Sequence, residues 1–366
     1  MARLYRADHV GSLLRPREVL EARQSLDQGR IGPPQLWEVE DQAILDALEL
    51  QRQVGLDVFT DGEFRRGDFR TDFAEAVEGL TVDFSSPLPW HGPRVSEVEG
   101  IRAWYVSDRV RQVRRLTQEQ SAFLRTHTPG PTKMTLLNAG YLGLRTYRPG
   151  VSDRVYPSLA DLLTEVMPIV RNEIQALIDE GIDYVQLDAP GYTAFVDPDQ
   201  RAQMRAAGMD PDQRFAELIA TDEDSLQGIR RGEATLAMHL CRGNNQGHWL
   251  SQGGYDPIAE RLFALSVDTF LLEYDTERAG SFEPLRFVPA GKHVVLGLIS
   301  TKEGRLESQD ELRRRIDQAA RYVPLDHLAL SPQCGFASAA EGNPITPEQQ
   351  RRKLELVVDT ARQVWG

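Results

Sequence analysis

Cysteine is almost missing from this sequence: Cys241 and Cys334 are the only two in 366 residues. That excludes a disulfide-stapled scaffold, and a lone structural bridge is not expected in a large intracellular chain. For either thiol alone, a small buried side chain is the ordinary reading. Long apolar runs are missing too. None reaches the length that spans a bilayer, and Met1-Ala2-Arg3-Leu4-Tyr5 lacks the apolar stretch of a secretory signal. The expectation is a cytoplasmic protein with no membrane partner. Positive charge is in deficit: 42 Lys and Arg against 55 Asp and Glu, a net charge of −13. Nucleic acids and anionic membranes reward a basic face, so neither is an expected partner. An anionic substrate in a local pocket stays compatible with that balance. Internal repeats and low-complexity segments are also lacking, which removes solenoids and arrays.

What is present is an alternation. Eight short apolar runs read as strands, at about 5–11, 57–61, 132–137, 183–188, 234–241, 268–273, 293–299 and 326–331. Several are rich in β-branched or aromatic residues, as in Tyr184-Val185-Gln186-Leu187. Helical patterns lie between them. One runs from Pro34 to about Val54, and another from Ser158 to Asp179. A third, Ser308 to Tyr322, opens on Ser308 with Glu311 three residues on, which predicts a capping box. Thr346-Pro347-Glu348 opens the last, with proline in the first turn. Strands alternating with helices predict an α/β protein, a single (β/α)8 TIM barrel over 1–366. The stretch from about 70 to 130 does not fit one βα unit. With Pro87, Pro89 and Pro93 and a strand pair around Arg94–Val106, it predicts an insertion after the second strand that acts as a lid.

Catalytic groups of such barrels stand at the C-terminal ends of strands. Here those ends read Val10-Gly11-Ser12, Asp61-Gly62-Glu63, Leu137-Asn138, Leu187-Asp188, His239-Leu240-Cys241, Leu272-Glu273, Ile299-Ser300-Thr301-Lys302 and Gln333-Cys334. A structural barrel has no need of polar and metal-binding side chains at nearly every strand end, so the pattern predicts an enzyme. His239 and Cys241 are two apart on a strand and point the same way. Zinc takes four tetrahedral ligands from Cys, His and carboxylates, and Glu273 with Cys334 would complete the set. The pair His-x-Cys also arises by chance, and Glu273 alone fits a salt-bridged carboxylate. The chemistry suits a thiol substrate. A free thiol has a pKa of about 8.5, and zinc deprotonates it. Glu273 is the hard ligand most readily displaced by an incoming sulfur. Metal-assisted hydrolysis also fits the spacing.

These motifs in this order, His239-Leu240-Cys241, Glu273 and Gln333-Cys334-Gly335-Phe336, resemble the zinc set of cobalamin-independent methionine synthase. The likeness runs from His9-Val10-Gly11-Ser12 to Cys334 and is closest to short, single-barrel members that match the catalytic C-terminal half. The resemblance implies zinc as cofactor and methyl transfer from methyl-tetrahydrofolate to zinc-bound homocysteine, giving methionine. It also implies roles. Val10, Gly11 and Ser12 match the loop that holds the homocysteine carboxylate. Glu63 and Asp188 match carboxylates that contact homocysteine, Asp188 at the ammonium. Each has a plainer alternative: a tight turn at Gly11, an ion pair of Glu63 with Arg65 or Arg66, a loop cap at Asp188.

Three departures touch the methyl donor. The family's pterin-stacking aromatic after Leu-Asn is Ala139 here, and Ala194 stands where a folate-contacting acid is expected. The family's proton-donating histidine aligns near Lys302. Transfer from a folate nitrogen needs protonation of that nitrogen. Lys302 would serve as the catalytic acid only if burial or the metal lowered its pKa; otherwise it binds an anionic group or is a surface lysine. No counterpart of the longer enzymes' N-terminal half is expected. Alternatives are alkyl transfer to a different thiol from an epoxide or a methylated corrinoid, a decarboxylase on a related barrel, and a non-catalytic zinc- or thiol-binding protein.

Overall fold

The structure, a computed structural model, describes residues 3–84, 90–92 and 102–366. The elements run α1 (Arg17–Asp27), α2 (Pro33–Val54), α3 (Thr71–Ala76), β1 (Val77–Phe84), β2 (Arg102–Gln112), α4 (Gln118–His127), β3 (Lys133–Leu137), α5 (Ala139–Thr146), α6 (Leu159–Asp179), β4 (Tyr184–Asp188), α7 (Pro198–Ala206), α8 (Pro211–Leu226), β5 (Thr235–Leu240), α9 (Ala259–Ala264), β6 (Thr269–Glu273), β7 (His293–Ile299), α10 (Gln309–Ala319), β8 (Leu328–Pro332) and α11 (Pro347–Trp365). Strands β3 to β8 form one parallel sheet in chain order. They are buried almost end to end, as parallel strands covered on both faces must be.

Two further barrel strands were expected at 5–11 and 57–61. Both segments take those places, but each is reduced to a single bridge, Ala7 with Leu330 and Phe59 with Thr132. The physical reason lies in Asp57. Its Oδ2 accepts the amides of Arg6 at 2.7 Å and Ala7 at 3.0 Å, donors that a regular ladder would have used. One backbone bond, Asp57 N to Ala7 O at 3.2 Å, joins the two segments.

The barrel interior follows from the period of two along each strand. Tyr184, Ala237, Leu271, Val295 and Ala329 make one buried apolar layer, with Tyr5, Val10 and Val58 from the seam. Two residues further along the same strands stand Gln186, His239, Glu273, Gly297 and Ser331. The same arithmetic that fills the barrel therefore aims the polar set at its C-terminal mouth. Beneath it, Lys133 and Asp8 pair at 2.9 Å with both side chains wholly buried. Burial works against both charges, pushing Asp8 up and Lys133 down. The Tyr184 hydroxyl on Asp8 and the His9 carbonyl on Lys133 offset part of that cost.

Helix starts follow local chemistry. Ser158 and Asp161 exchange hydrogen bonds as a capping box at α6, and Thr346 and Gln349 do so at α11. The box expected at Ser308 does not form: Ser308 makes no side-chain cap bond, and Glu311 lies toward Arg314 at 3.5 Å instead. Between β6 and β7 the connection is two short 3-10 turns, Glu277–Ala279 and Glu283–Phe287, rather than an α-helix.

The segment after 57–61 holds more than one βα unit. It contains α3, an antiparallel hairpin of β1 and β2, and α4. The strand pair expected around Arg94–Val106 lies mostly outside the described residues; the described hairpin pairs 77–84 with 102–112. Residues 94–101, with Pro87, Pro89 and Pro93, lie outside the described residues. A bulge at Gly79 needs glycine, since its φ is +93° and a Cβ would meet Arg109 O at 2.4 Å.

Candidate metal centre and thiol site

His239 and Cys241 extend from the end of β5, and Cys334 follows β8. One ligand atom from each lies within 4.8 Å of the other two, and all three residues are buried. The two sulfurs are 3.3 Å apart. Cys334 is held well below the usual thiol range, first by the hydrogen bond from Cys241 and then by His239. Cys241 is pushed up by the same contact and by burial.

Among the described residues neither buried ring nitrogen of His239 has a nitrogen or oxygen hydrogen-bond partner, and the Cys334 sulfur is the polar group the ring acts on. A buried imidazole normally satisfies at least one nitrogen, because an unmade bond there costs about 1–3 kcal/mol. An orphaned imidazole against two sulfurs is the donor set of a soft or borderline cation, and zinc fits it.

The loop around Cys334 is fixed from several sides. Gln333 N donates to Ile299 O at 2.8 Å, and Thr301 N donates to Gln333 Oε1 at 2.5 Å. Gly335 O accepts from Asn244 Nδ2 at 2.8 Å and from Thr301 Oγ1 at 3.1 Å. Asn244 thereby ties the chain after Cys241 to the chain after Cys334, a link that spacing in the sequence did not signal. Thr193 Oγ1 donates to Cys241 O at 2.8 Å.

The predicted substrate residues border this cluster. Ser12 packs against Gly335, its carbonyl accepting from Phe336 N at 2.9 Å and its Oγ from Ala337 N at 3.3 Å. Gly11 leaves no space for a side chain: a Cβ there would stand 2.9 Å from Glu63 Oε1. Val10 O accepts from Gln186 Nε2 at 2.9 Å, and the same nitrogen donates to Asp188 Oδ1 at 2.7 Å. Glu63 has a left-handed backbone, φ 60°, right after Gly62 at φ 66°. A non-glycine residue held there costs on the order of 1–3 kcal/mol. Asp61 Oδ1 stabilises the turn by accepting from Glu63 N at 2.8 Å. The Glu63 carboxylate accepts from Thr135 Oγ1 at 2.9 Å, and Arg66 stands 3.7 Å away. Burial, and then the charge of Glu63, push Asp188 up to about 7, against the lowering influence of His239. Two carboxylates that repel one another thus stand beside the thiol cluster.

Glu273 is placed differently from its three expected partners. It is wholly buried but not one of the clustered donors. Its Oε2 accepts from Arg242 N at 2.8 Å. Its Oε1 accepts from Lys302 Nζ at 3.0 Å and from Arg278 Nη2. Lys302 is no surface lysine: its side chain is 7% exposed and reaches Asp275 as well, at 3.7 Å. Arg278 and Asp275 were not singled out from sequence. Asp275 lies in the bend just after β6, two residues beyond Glu273. Arg242 was singled out only as part of a motif without a role. Its guanidinium is buried over the Tyr255 ring at 4.5 Å, and none of its three nitrogens has a hydrogen-bond partner among the described residues.

A parallel barrel with a buried His-Cys-Cys cluster at the C-terminal ends of its strands defines a class, the barrels with a candidate metal site at the mouth. The profile described as the catalytic domain of cobalamin-independent synthase matches residues 6–363, and the chain belongs to that family. Two proteins of Bacillus subtilis (strain 168), YxjH and YxjG, are each 38% identical to it over 99% of this chain and 95% of their own. The 5-methyltetrahydropteroyltriglutamate–homocysteine methyltransferase of Bacillus velezensis is 25% identical over 97% of this chain, which spans 42% of that longer protein. Among solved structures, a Listeria monocytogenes protein assigned as a vitamin B12-independent methionine synthase superposes with a TM-score of 0.77. It is 30% identical, covering 100% of this chain and 99% of that one. A B12-independent methionine synthase from Shewanella sp. W3-18-1, solved with selenomethionine, shares the fold at a TM-score of 0.72 and 21% identity, over 97% of this chain and 96% of that one.

Proposed function

We propose that this chain is a zinc-dependent methyltransferase that moves a methyl group from a methyl-tetrahydrofolate to the thiol of homocysteine, giving methionine. The observation that carries the reading is the orphaned imidazole of His239 against the paired sulfurs of Cys241 and Cys334. Zinc, when bound, supplies the Lewis acidity that keeps a substrate thiol ionised at neutral pH. The protein's own groups orient the amino acid. Asp188 and Glu63 take its ammonium, and the Val10-Gly11-Ser12 loop takes its carboxylate, so that the sulfur is directed at the cluster. Family membership supports the same acceptor.

On the donor side, the aromatic missing at Ala139 has a substitute. Tyr141, Trp104 and Phe73 wall a small cleft beside Leu137, with Arg70 and Arg145 at its edge. Aromatic faces flanked by guanidiniums have the chemistry to meet an aromatic plate with carboxylate substituents. We also assign the 70–130 insertion as a lid. His91 bridges to Trp249 in the loop after β5, and the Trp249 ring lies 4.8 Å from the Arg278 guanidinium, which holds Glu273. A second donor, a methylated corrinoid, is favoured by one observation. Lys302 is engaged by Glu273 and Asp275, and a corrinoid needs no protonation of its leaving group.

The test is metal analysis with zinc-edge spectroscopy, with and without homocysteine. One zinc per chain that gains a sulfur neighbour on homocysteine addition is expected, and Cys334→Ser should lose the metal. A zinc shell that ignores homocysteine would refute the reading. Turnover with methyl-folate or methylcobalamin then chooses the donor.

A further inference from the structure

Three successive carbonyls, those of His9, Val10 and Gly11, are each claimed by a buried side chain. Lys133 Nζ donates to His9 O at 2.6 Å, Gln186 Nε2 to Val10 O at 2.9 Å and Thr60 Oγ1 to Gly11 O at 2.8 Å. Gln186 stands apart because its second bond reaches the predicted ammonium site: the same nitrogen donates to Asp188 Oδ1 at 2.7 Å. Gln186 lies in register with Thr135 and Ala237, one row beneath Asp188 and His239, and is wholly buried. Its Oε1 is buried too and has no hydrogen-bond partner among the described residues. Turning the amide over would set Oε1 against Val10 O and Asp188 Oδ1, acceptor against acceptor. An apolar side chain of the same length would avoid the unpaired oxygen. What the amide adds is the pair of hydrogen bonds from Nε2.

We propose that Gln186 is a positioning residue of the amino-acid site: one nitrogen fixes the ammonium-binding Asp188 and the carboxylate-binding Val10–Gly11 peptide to each other, and so sets the spacing that an α-amino acid must match. The inference rests on the homocysteine reading above and adds to it the residue that joins the two ends of the site. A trans peptide points its N–H opposite to its C=O. Fixing Val10 O on Gln186 therefore turns Gly11 N–H away from that side chain. Gly11 N donates to no group among the described residues and is left for a ligand carboxylate. Asp188 is held by Oδ1, which leaves Oδ2 to meet an ammonium. Thr135, beside Gln186 in the same row, braces the second carboxylate, donating to Glu63 Oε1 at 2.9 Å. Both ends of an amino acid are thus read against one amide. A ligand that uses only one end does not sense the spacing, because either half of the site can shift without the other.

Gln186→Met keeps the length of the side chain and removes both hydrogen bonds along with the unpaired oxygen. In zinc-loaded protein, titration should show homocysteine bound about 10-fold more weakly than in wild type. γ-Mercaptobutyrate, the same thiol acid without the amino group, should bind within about twofold of wild type, so the preference for the amino acid falls by about 10-fold. A loss of packing alone would weaken both ligands alike. KM for homocysteine should rise by the same factor while kcat stays within about twofold, because the bound sulfur still reaches the same cluster. In an Asp188→Asn background the Gln186→Met effect should shrink to about twofold or less, since the carboxylate it places is gone. Gln186→Glu serves should Gln186→Met fold poorly. It keeps the shape, loses the donor and should lower the preference in the same direction. Homocysteine binding unchanged within about twofold, equal losses for both ligands, or full additivity with Asp188→Asn would overturn the proposal. The two readings fail separately. If zinc in the wild type gains no sulfur from homocysteine, thiol activation falls. If it gains one and the preference survives in the Gln186 variants, the positioning role alone falls.

Discussion

Replacing Gly335 with alanine tests how the metal cluster is fixed to the substrate loop. Gly335 is not in the left-handed region, so alanine suits its backbone and the constraint is space alone. A Cβ built there stands 2.0 Å from Ser12 Oγ, 3.2 Å from Ser12 Cβ and 3.4 Å from Ser12 N. Ordinary carbon–oxygen contact lies beyond 3 Å, so the hydroxyl must retreat by more than an ångström. It then gives up the bond it accepts from Ala337 N. Overpacking of this kind costs about 1–3 kcal/mol, and the lost hydrogen bond about 1 kcal/mol more. Because Cys334 is the adjacent residue, part of that strain should appear as weaker metal binding, on the order of 10-fold. Ser12→Ala removes the atom in conflict. The double variant should therefore recover most of the loss, leaving only the tight 3.2 Å contact. The assay is urea unfolding together with zinc competition on the two single variants and the double. Strictly additive effects would refute the reasoning, since they would mean that Ser12 and Gly335 do not meet.

Two further outcomes follow from the buried carboxylates. Asp188→Asn should raise the KM for homocysteine about 10–100-fold, the worth of a charge-assisted bond, while binding of a thiol acid lacking the amino group is unchanged. Equal losses for both ligands would remove Asp188 from the ammonium site. Burial pushes Asp222 up to about 6, against its donors Tyr192, Gly140 N and Asn138. A carboxyl raised on folding makes stability fall as pH rises from about 4 to about 6 and leaves the full penalty above that window. Asn138→Ala removes a donor to the charged form. It should cost about 2 kcal/mol at pH 7.5 and much less at pH 4, read from urea midpoints; equal costs at both pH values would exclude this sign.

Much of the barrel was legible because its physics is local. Runs such as Val294-Val295-Leu296 are buried on both faces, and such strands carry apolar residues throughout. The ends of α6 and α11 were written in Ser158 and Thr346. Ser308 carried the same signal without the bond, since a cap competes with every other partner within reach of the chain. The seam was less legible. Whether 5–11 and 57–61 become ladders depends on where the Asp57 carboxylate sends its oxygens, and that is settled across the barrel.

Period two along β5, together with the residue types, was enough to pair His239 with Cys241, because neighbours on one strand face share their direction whatever surrounds them. Cys334 is 93 positions from Cys241, and the curvature of the sheet that carries β5 and β8, not local spacing, brings the sulfurs to 3.3 Å. Glu273 shows the other limit. Its inward direction was fixed by its strand, but its partner was chosen by the loops that carry Arg278 and Lys302. Sequence thus determined which groups face the mouth of the barrel. Tertiary structure decided which of them touch, because a carboxylate takes whichever cation or metal the surrounding loops deliver, and loop geometry is a property of the whole fold.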